Sequence, residues 1–497
     1  MKDQRRGLLL LLCIVALNSF AQTSHPNIIY ILADDLGYGD ISALNAYSKI
    51  PTKNIDALAD AGMVFTDAHS NSAVCTPTRY GILTGRYAWR TRLQNGVLWS
   101  YDAPLIAPNR STIASLLKRR GYQTACIGKW HLGLGWQKDA NGRIDFTREI
   151  SGGPASLGFD YFYGITASLD IPPYFYIENN KITATAIDSI KGSNGMGFWR
   201  AGPIGNDFEH ATVLPRFTQK AVTYIKEKSR SKAPFFLYLA LPSPHTPILP
   251  SASYKGKTAT NDYGDFVLMT DDMVGCILQA VKDAGIGNNT LIVFTSDNGV
   301  SPSANLKELS AAGHSSSYTF RGNKADIYEG GHRIPFIVKW PGMIPAGTSS
   351  GVTVCLTDFM ATAAALTGPP LKATEGEDSY DLLPLLLQKG KYKRTATIHH
   401  SIDGNFAIRE GKWKLEFAYG SGGWSVPVEK EARQQSMPPL QLYNLEQDPA
   451  EQTNVAAQNP EIVARLKRNL QHIISNGRST SGTPQANDVK VNYLQYQ

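Results

Sequence analysis

The sequence predicts an α/β fold, in which a large, mainly parallel sheet flanked by helices is followed by a smaller C-terminal α+β unit with an antiparallel sheet. Three observations lead there. Short apolar runs of buried-strand type alternate with helical patterns, the pattern turns to short alternating strands from about residue 376, and 497 residues with 42% apolar side chains can bury cores of that size.

The chain opens with a basic start (Lys2, Arg5, Arg6), an apolar stretch from Leu8 to Leu17 and a small-residue cleavage site, Ser19-Phe20-Ala21. That is the pattern of an export signal over residues 1–21. Neither this stretch nor any later one reaches the roughly 20 apolar residues of a spanning helix. An exported protein without a membrane span is therefore expected, periplasmic, at the cell surface or secreted. A large α/β domain is assigned to 22–375 and an antiparallel-sheet subdomain with a mobile tail to 376–497.

The strand-like runs are NIIYIL (27–32), TACI (124–127), FFLYLAL (235–241), LIVFT (291–295) and PFIVKW (335–340). Between them, Ser111 can cap a helix carrying Ile113, Leu116 and Leu117 on one face and ending at Gly121, and a second helix fits 265–284 before Gly285. In the C-terminal part, FAIRE and KWKLEFAY pair across a Gly411 turn, and Asn459-Pro460 opens a helix with Val463, Leu466, Leu470 and Ile473 on one face. The 49 Lys and Arg against 42 Asp and Glu give +7, scattered along the chain, which suits an anionic small substrate better than a nucleic-acid backbone. No Cys sits in a CxxC pair; Cys126 and Cys355 lie in apolar runs, whereas Cys75 lies in a polar turn.

In open α/β sheets a ligand sits beyond the carboxyl ends of the strands. There the runs lead into Asp34-Asp35, Gly128-Lys129-Trp130-His131, Pro242-Ser243-Pro244-His245 and Ser296-Asp297-Asn298-Gly299. Asp34, Asp35, Asp297 and Asn298 offer only oxygen, which selects a hard dication, Ca²⁺ or Mg²⁺, over zinc. Three carboxylates around a dication leave one negative charge, so an anionic substrate also needs cations nearby. Lys129, Arg79 and Lys324 are the candidates, although the residues alone favour an exposed loop lysine at 324.

The segment CTPTRYGILTGR (75–86) resembles the signature of the type I sulfatase family, with Cys75, Pro77, Arg79, Leu83, Thr84, Gly85 and Arg86 in place. ADDLGYGD, GKWHLG, PHTP, TSDNG and RGNKADIYEGGHR are similar to further family segments and come in the same order, and LYNLEQDPAEQTN resembles the family's C-terminal end. The resemblance implies an alkaline-phosphatase-like domain and conversion of Cys75 to formylglycine by a separate maturation enzyme. The chemistry favours that change. A thiol would form an ester with sulfur that is hard to release, whereas an aldehyde hydrate has one hydroxyl to attack and another to expel sulfate as the carbonyl re-forms.

The resemblance further implies Asp34, Asp35, Asp297, Asn298 and the modified residue 75 as metal ligands, Arg79 holding residue 75, and Lys129 and Lys324 binding sulfate oxygens. His131 would serve the hydrate as a base and His245 would protonate the departing oxygen. For the substrate, a sulfated carbohydrate, Asp170 with Tyr174, Phe175 and Tyr176 suits a sugar ring or, equally, core packing, and His314 is a second candidate. The chain resembles galactose- and N-acetylgalactosamine-6-sulfatases and bacterial glycan sulfatases more than steroid sulfatases. Three other readings stand beside this one. A phosphoester or phosphonate hydrolase can share the fold and nucleophile, and an unmodified Cys75 would leave a non-catalytic sulfated-glycan binder. A papain-like thiol paired with His131 or His245 leaves the carboxylates and the Pro-X-Arg spacing unexplained.

Overall fold

The computed structural model describes residues 25–494, so the expected export signal lies outside the described residues. Alternation along the first strand, Asn27–Asp34, builds the molecule: successive side chains leave opposite faces of a sheet, and here both faces are buried. Ile28, Tyr30 and Leu32 join one core with Ile82, Leu83, Ile113, Leu117 and Met360. Ile29, Ile31 and Ala33 join the other with Phe217, Ala221, Ile225, Val267 and Ile277. Helices Cys75–Thr84, Ile113–Lys118 and Phe359–Thr367 thus cover one face, and Val213–Lys228 and Asp262–Asp283 the other.

The sheet has ten strands, and its centre is parallel, in the order Thr290–Ser296, Asn27–Asp34, Phe235–Pro244, Gln123–Lys129, Tyr161–Ile165. The mainly parallel α/β architecture expected from the sequence is therefore present. Phe336–Lys339, one of the runs read as a sheet strand, pairs antiparallel with Thr290–Ser296. Gly128 marks where two strands crowd: it has φ +119, and a Cβ there would lie 1.8 Å from the Ala240 carbonyl oxygen. Helix Ile113–Lys118 is capped by Thr112, whose side chain accepts from the Ser115 N–H, rather than by Ser111, whose hydroxyl donates to Glu375.

The C-terminal unit is a four-stranded antiparallel sheet, Thr397–His400, Phe406–Glu410, Trp413–Glu416 and Gln441–Asn444, covered by Leu466, Leu470 and Ile473 of helix Pro460–Ser475. Its core is continuous with Tyr87, Trp89 and Cys355 of the larger unit. The contact also braces the loops around Cys75: the Ala73 N–H donates to the His400 carbonyl (2.9 Å), the Ala325 N–H to Ala73 (2.8 Å) and the Ile402 N–H to Ala325 (3.0 Å). The closing segment, expected from its composition to be mobile, is tied back at Arg86–Asp488 (3.0 Å) and Arg90–Asn487 (2.8 Å).

Candidate active site

Four strand ends and one helix start converge on a single buried pocket. Asp34 closes the first strand, and Asp35 turns into the left-handed region at φ 64, which brings two consecutive carboxylates to one place instead of opposite faces. His131, just past the strand that ends at Lys129, holds a similar φ of 58. Two non-glycine residues in this region store of the order of 1–3 kcal/mol each, a cost tolerated where chemistry needs a fixed geometry. Cys75 is the first residue of helix Cys75–Thr84, every residue of which is buried. Pro77 lies in its first turn, where the missing N–H costs nothing.

The charges interlock. Arg79 donates through Nε (3.0 Å) and Nη2 (2.7 Å) to Asp297 Oδ2 and through Nη1 to the Lys129 carbonyl (2.9 Å). Lys129 Nζ lies 2.6 Å from Asp34, and Lys324 Nζ 2.7 Å from Asp35. All six side chains are buried, so Lys324 is not the exposed loop lysine that the sequence also allowed. Three carboxylates thus face three cations with no net charge, and a bound dication would make the pocket anion-attracting by two units.

The titration pattern reflects the same crowding. Burial raises the Asp34 carboxyl, but Lys129, His245 and Arg79 together hold it well below the usual carboxylate range. Asp297 is pushed upward by burial and by Asp34, against the pull of Arg79. Burial likewise raises the Cys75 thiol, so an unmodified Cys75 is a neutral, poor nucleophile here.

The donor set fits a hard cation. Asp34 Oδ1 and Asn298 Oδ1 are buried without a hydrogen-bond partner, while Asn298 Nδ2 is spent on Asp35 Oδ1 (2.7 Å) and the Gly299 carbonyl (2.9 Å). Unpaired buried oxygens are costly in a dry site, and a dication is the group that satisfies them.

The two histidines are presented differently. His131 Nε2 lies 2.8 Å from the Leu98 carbonyl, which fixes the proton on Nε2, and Nδ1 is buried with no partner. Burial, Lys129 and Arg79 hold its pKa far below normal, so Nδ1 is a bare lone pair at neutral pH. His245 Nδ1 donates to the Thr246 carbonyl (2.7 Å), leaving Nε2 3.5 Å from Asp35.

Among the residues expected to meet substrate, Asp170 stands at the pocket rim, 4.0 Å from His245 Nδ1. The aromatics beside it do not face a ligand: Tyr174, Phe175 and Tyr176 are 2%, 0% and 0% exposed and pack in the cores. His314 is also corrected, because its side chain is buried with Nε2 on Asp40 (2.8 Å) and Nδ1 accepting from the Lys49 N–H (3.2 Å), so neither nitrogen is free for a sugar. Arg200 is ion-paired to Asp170 at the same rim, a pairing without a sequence signal, since nothing in the spacing links residues 30 apart in a loop. His69, His332 and His399 form a second cluster. The His332 and His399 rings stack 3.9 Å apart and within 4° of parallel, so their in-plane lone pairs cannot meet on one ion, and the cluster braces the junction between the two sheets.

The Sulfatase family model matches residues 26–369. An N-acetylgalactosamine-6-O-sulfatase of Bacteroides thetaiotaomicron is 32% identical over 485 residues, covering 90% of this chain and 93% of that protein. Human arylsulfatase A is 33% identical over 480 residues, with 92% and 89% covered. A solved B. thetaiotaomicron structure, described in terms of the metabolism of multiple glycosaminoglycans, superposes with a TM-score of 0.80 at 31% identity, covering 91% of this chain and 99% of that one. The PsFucS1 sulfatase from Pseudoalteromonas sp. gives a TM-score of 0.69 at 25% identity, with 91% and 90% covered. With this fold, this pocket and these relatives, the chain belongs to the sulfatase family and is a sulfuric ester hydrolase.

Proposed function

We propose that the chain removes O-sulfate from a carbohydrate of the galactose- or N-acetylgalactosamine-6-sulfate type, with residue 75 as formylglycine and a bound Ca²⁺. The observation that carries this reading is the convergence of three buried carboxylates and three buried cations around Cys75, with Asp34 Oδ1 and Asn298 Oδ1 left without a hydrogen-bond partner. The names of the N-acetylgalactosamine-6-sulfatases among the relatives support the choice of sugar.

Asp34, Asp35, Asp297, Asn298 and residue 75 would hold the cation, which when bound stabilises negative charge on oxygen. The chain's own groups then divide the work. Arg79 fixes Asp297 and the backbone of Lys129 through three hydrogen bonds. Lys129 and Lys324 supply donors where charge gathers on sulfate oxygens. His131 Nδ1 can accept a proton from a hydroxyl at residue 75, and His245 Nε2 can deliver one to the departing sugar oxygen, a poor leaving group without it. The helix start at residue 75 adds backbone N–H groups that favour an anion.

An export signal over 1–21, a catalytic domain over 22–375 and a C-terminal subdomain over 376–497 belong to the same proposal, as does an external enzyme that oxidises Cys75. Among the described residues no helix is long and apolar enough to cross a membrane. The reading is tested by sulfate release from 6-, 4- and 3-sulfated galactose and N-acetylgalactosamine. Release from the 6-sulfates first is expected, and release from none of the sugars would defeat it.

A further inference from the structure

A ladder of polar groups leads out of the pocket. It starts at Asp35, passes to His245 Nε2 (3.5 Å), from His245 Nδ1 to Asp170 Oδ1 (4.0 Å), and ends at Arg200, ion-paired with Asp170 Oδ2. If Asp35 lies at the sulfate and His245 at the departing oxygen, the next rung faces the sugar itself.

Arg200 is built to stay there. Its N–H and Nη1 both donate to the Asp170 carbonyl (3.1 and 3.2 Å), and its guanidinium lies 5.1 Å from the ring centres of both Trp99 and Phe198. The Tyr174 hydroxyl donates to the Arg200 carbonyl (2.7 Å), and neighbouring Trp199 stacks on His210 at 4.4 Å. The buried aromatics of segment 174–176 thus help position this loop. Despite the support, the Arg200 side chain is 40% exposed and Trp99 beside it is 51% exposed, while Asp170 Oδ1 beneath them is buried without a hydrogen-bond partner. One acceptor, one planar donor fork and one open aromatic face are the elements that bind vicinal sugar hydroxyls.

We infer that Asp170 and Arg200 form a hydroxyl clamp, with Trp99 as its platform, that reads the C4 hydroxyl of the sugar, the hydroxyl nearest the 6-sulfated carbon. This rests on the carbohydrate reading proposed above. Asp170 Oδ1 accepts from a hydroxyl, the guanidinium donates to the same or the adjacent oxygen, and an epimer or deoxy sugar leaves both groups unpaired in a partly dry site. Such a site rejects the analogue that lacks the hydroxyl more strongly than an apolar pocket does.

The test compares kcat/KM for N-acetylgalactosamine 6-sulfate, its 4-deoxy analogue and 4-nitrophenyl sulfate in the wild type, Arg200→Lys and Asp170→Asn. Arg200→Lys keeps the charge and most of the packing while removing the planar fork. The clamp predicts that the ratio of sugar to aryl kcat/KM falls roughly 10- to 100-fold in either variant, with the loss mainly in KM, and that wild-type discrimination against the deoxy sugar shrinks by a similar factor. An equal fall on sugar and aryl esters, or undiminished discrimination in both variants, overturns the clamp and leaves the sulfatase reading intact. Wild-type turnover of the aryl ester with none of any sulfated sugar overturns the carbohydrate reading and the clamp together.

Discussion

Asn298 offers a direct probe of the cation site that does not depend on turnover. Its Nδ2 donates to Asp35 Oδ1 at 2.7 Å, and its Oδ1 is the buried oxygen without a partner. In Asn298→Asp a second carboxylate oxygen replaces that donor. At 2.7 Å and an effective dielectric of about 20, two like charges repel by about 6 kcal/mol. Protonation of one carboxyl relieves part of this, so a loss of about 3–6 kcal/mol is expected when no cation is present. Unfolding entropy of about 2 cal/mol/K per residue makes 1 kcal/mol worth about 1 °C in Tm for a chain of this length. In chelator at pH 8, Asn298→Asp should therefore melt about 3–6 °C below the wild type. A dication between the carboxylates removes the repulsion, so millimolar calcium should close most of the gap and raise the variant's Tm more than the wild type's. Scanning calorimetry in chelator and in calcium reads both numbers. Equal melting of the two proteins in chelator, or a gap that calcium leaves unchanged, would refute a cation held by Asn298 and Asp35.

Two further outcomes follow from the same geometry. His245→Ala should cost roughly 10²–10⁴-fold in kcat on a sugar sulfate but less than about tenfold on 4-nitrophenyl sulfate, whose leaving group needs no proton; equal losses on both would remove His245 from proton donation. His400 is fully buried, and burial lowers its pKa to about 4, so the unfolded chain takes up a proton that the folded chain refuses as pH falls below about 6.5. Its neutral form contributes fully above that pH, and the urea-measured stability of the wild type relative to His400→Leu should shrink by about 3 kcal/mol between pH 7 and pH 4; a difference independent of pH would contradict this.

The parts of the site that were legible in the sequence are those governed by local rules. A buried parallel strand must end in a turn, and Asp34-Asp35, Lys129, His131, His245 and Asp297-Asn298 each lie at the end of such a strand or within a few residues beyond it, so their common edge follows from the topology. Cys75 and Arg79 are one helical turn apart and face the same side for an equally local reason. Residues 174–176 were ambiguous because an aromatic cluster after Pro-Pro suits a sugar platform and a core equally well, and only the tertiary packing decides. His314 misled for a similar reason: its partners, Asp40 and the Lys49 backbone, are more than 260 residues away in the chain. Arg200 meets Asp170 through a pairing that no periodicity encodes, as do the loops 401–405 and 420–425 with Ala325, Asp326 and Ile327. The Thr112 cap was displaced by one residue because Ser111 and Thr112 both suit the position, and Glu375 claims the hydroxyl of Ser111.

The account turns on the side chain at residue 75. Trypsin should release it within residues 54–79, and the mass of that peptide from protein purified with full activity reports its state. A peptide about 18 Da lighter than the cysteine form, in proportion to the specific activity of each preparation, is the predicted result. An active preparation whose peptide carries only the thiol would contradict it.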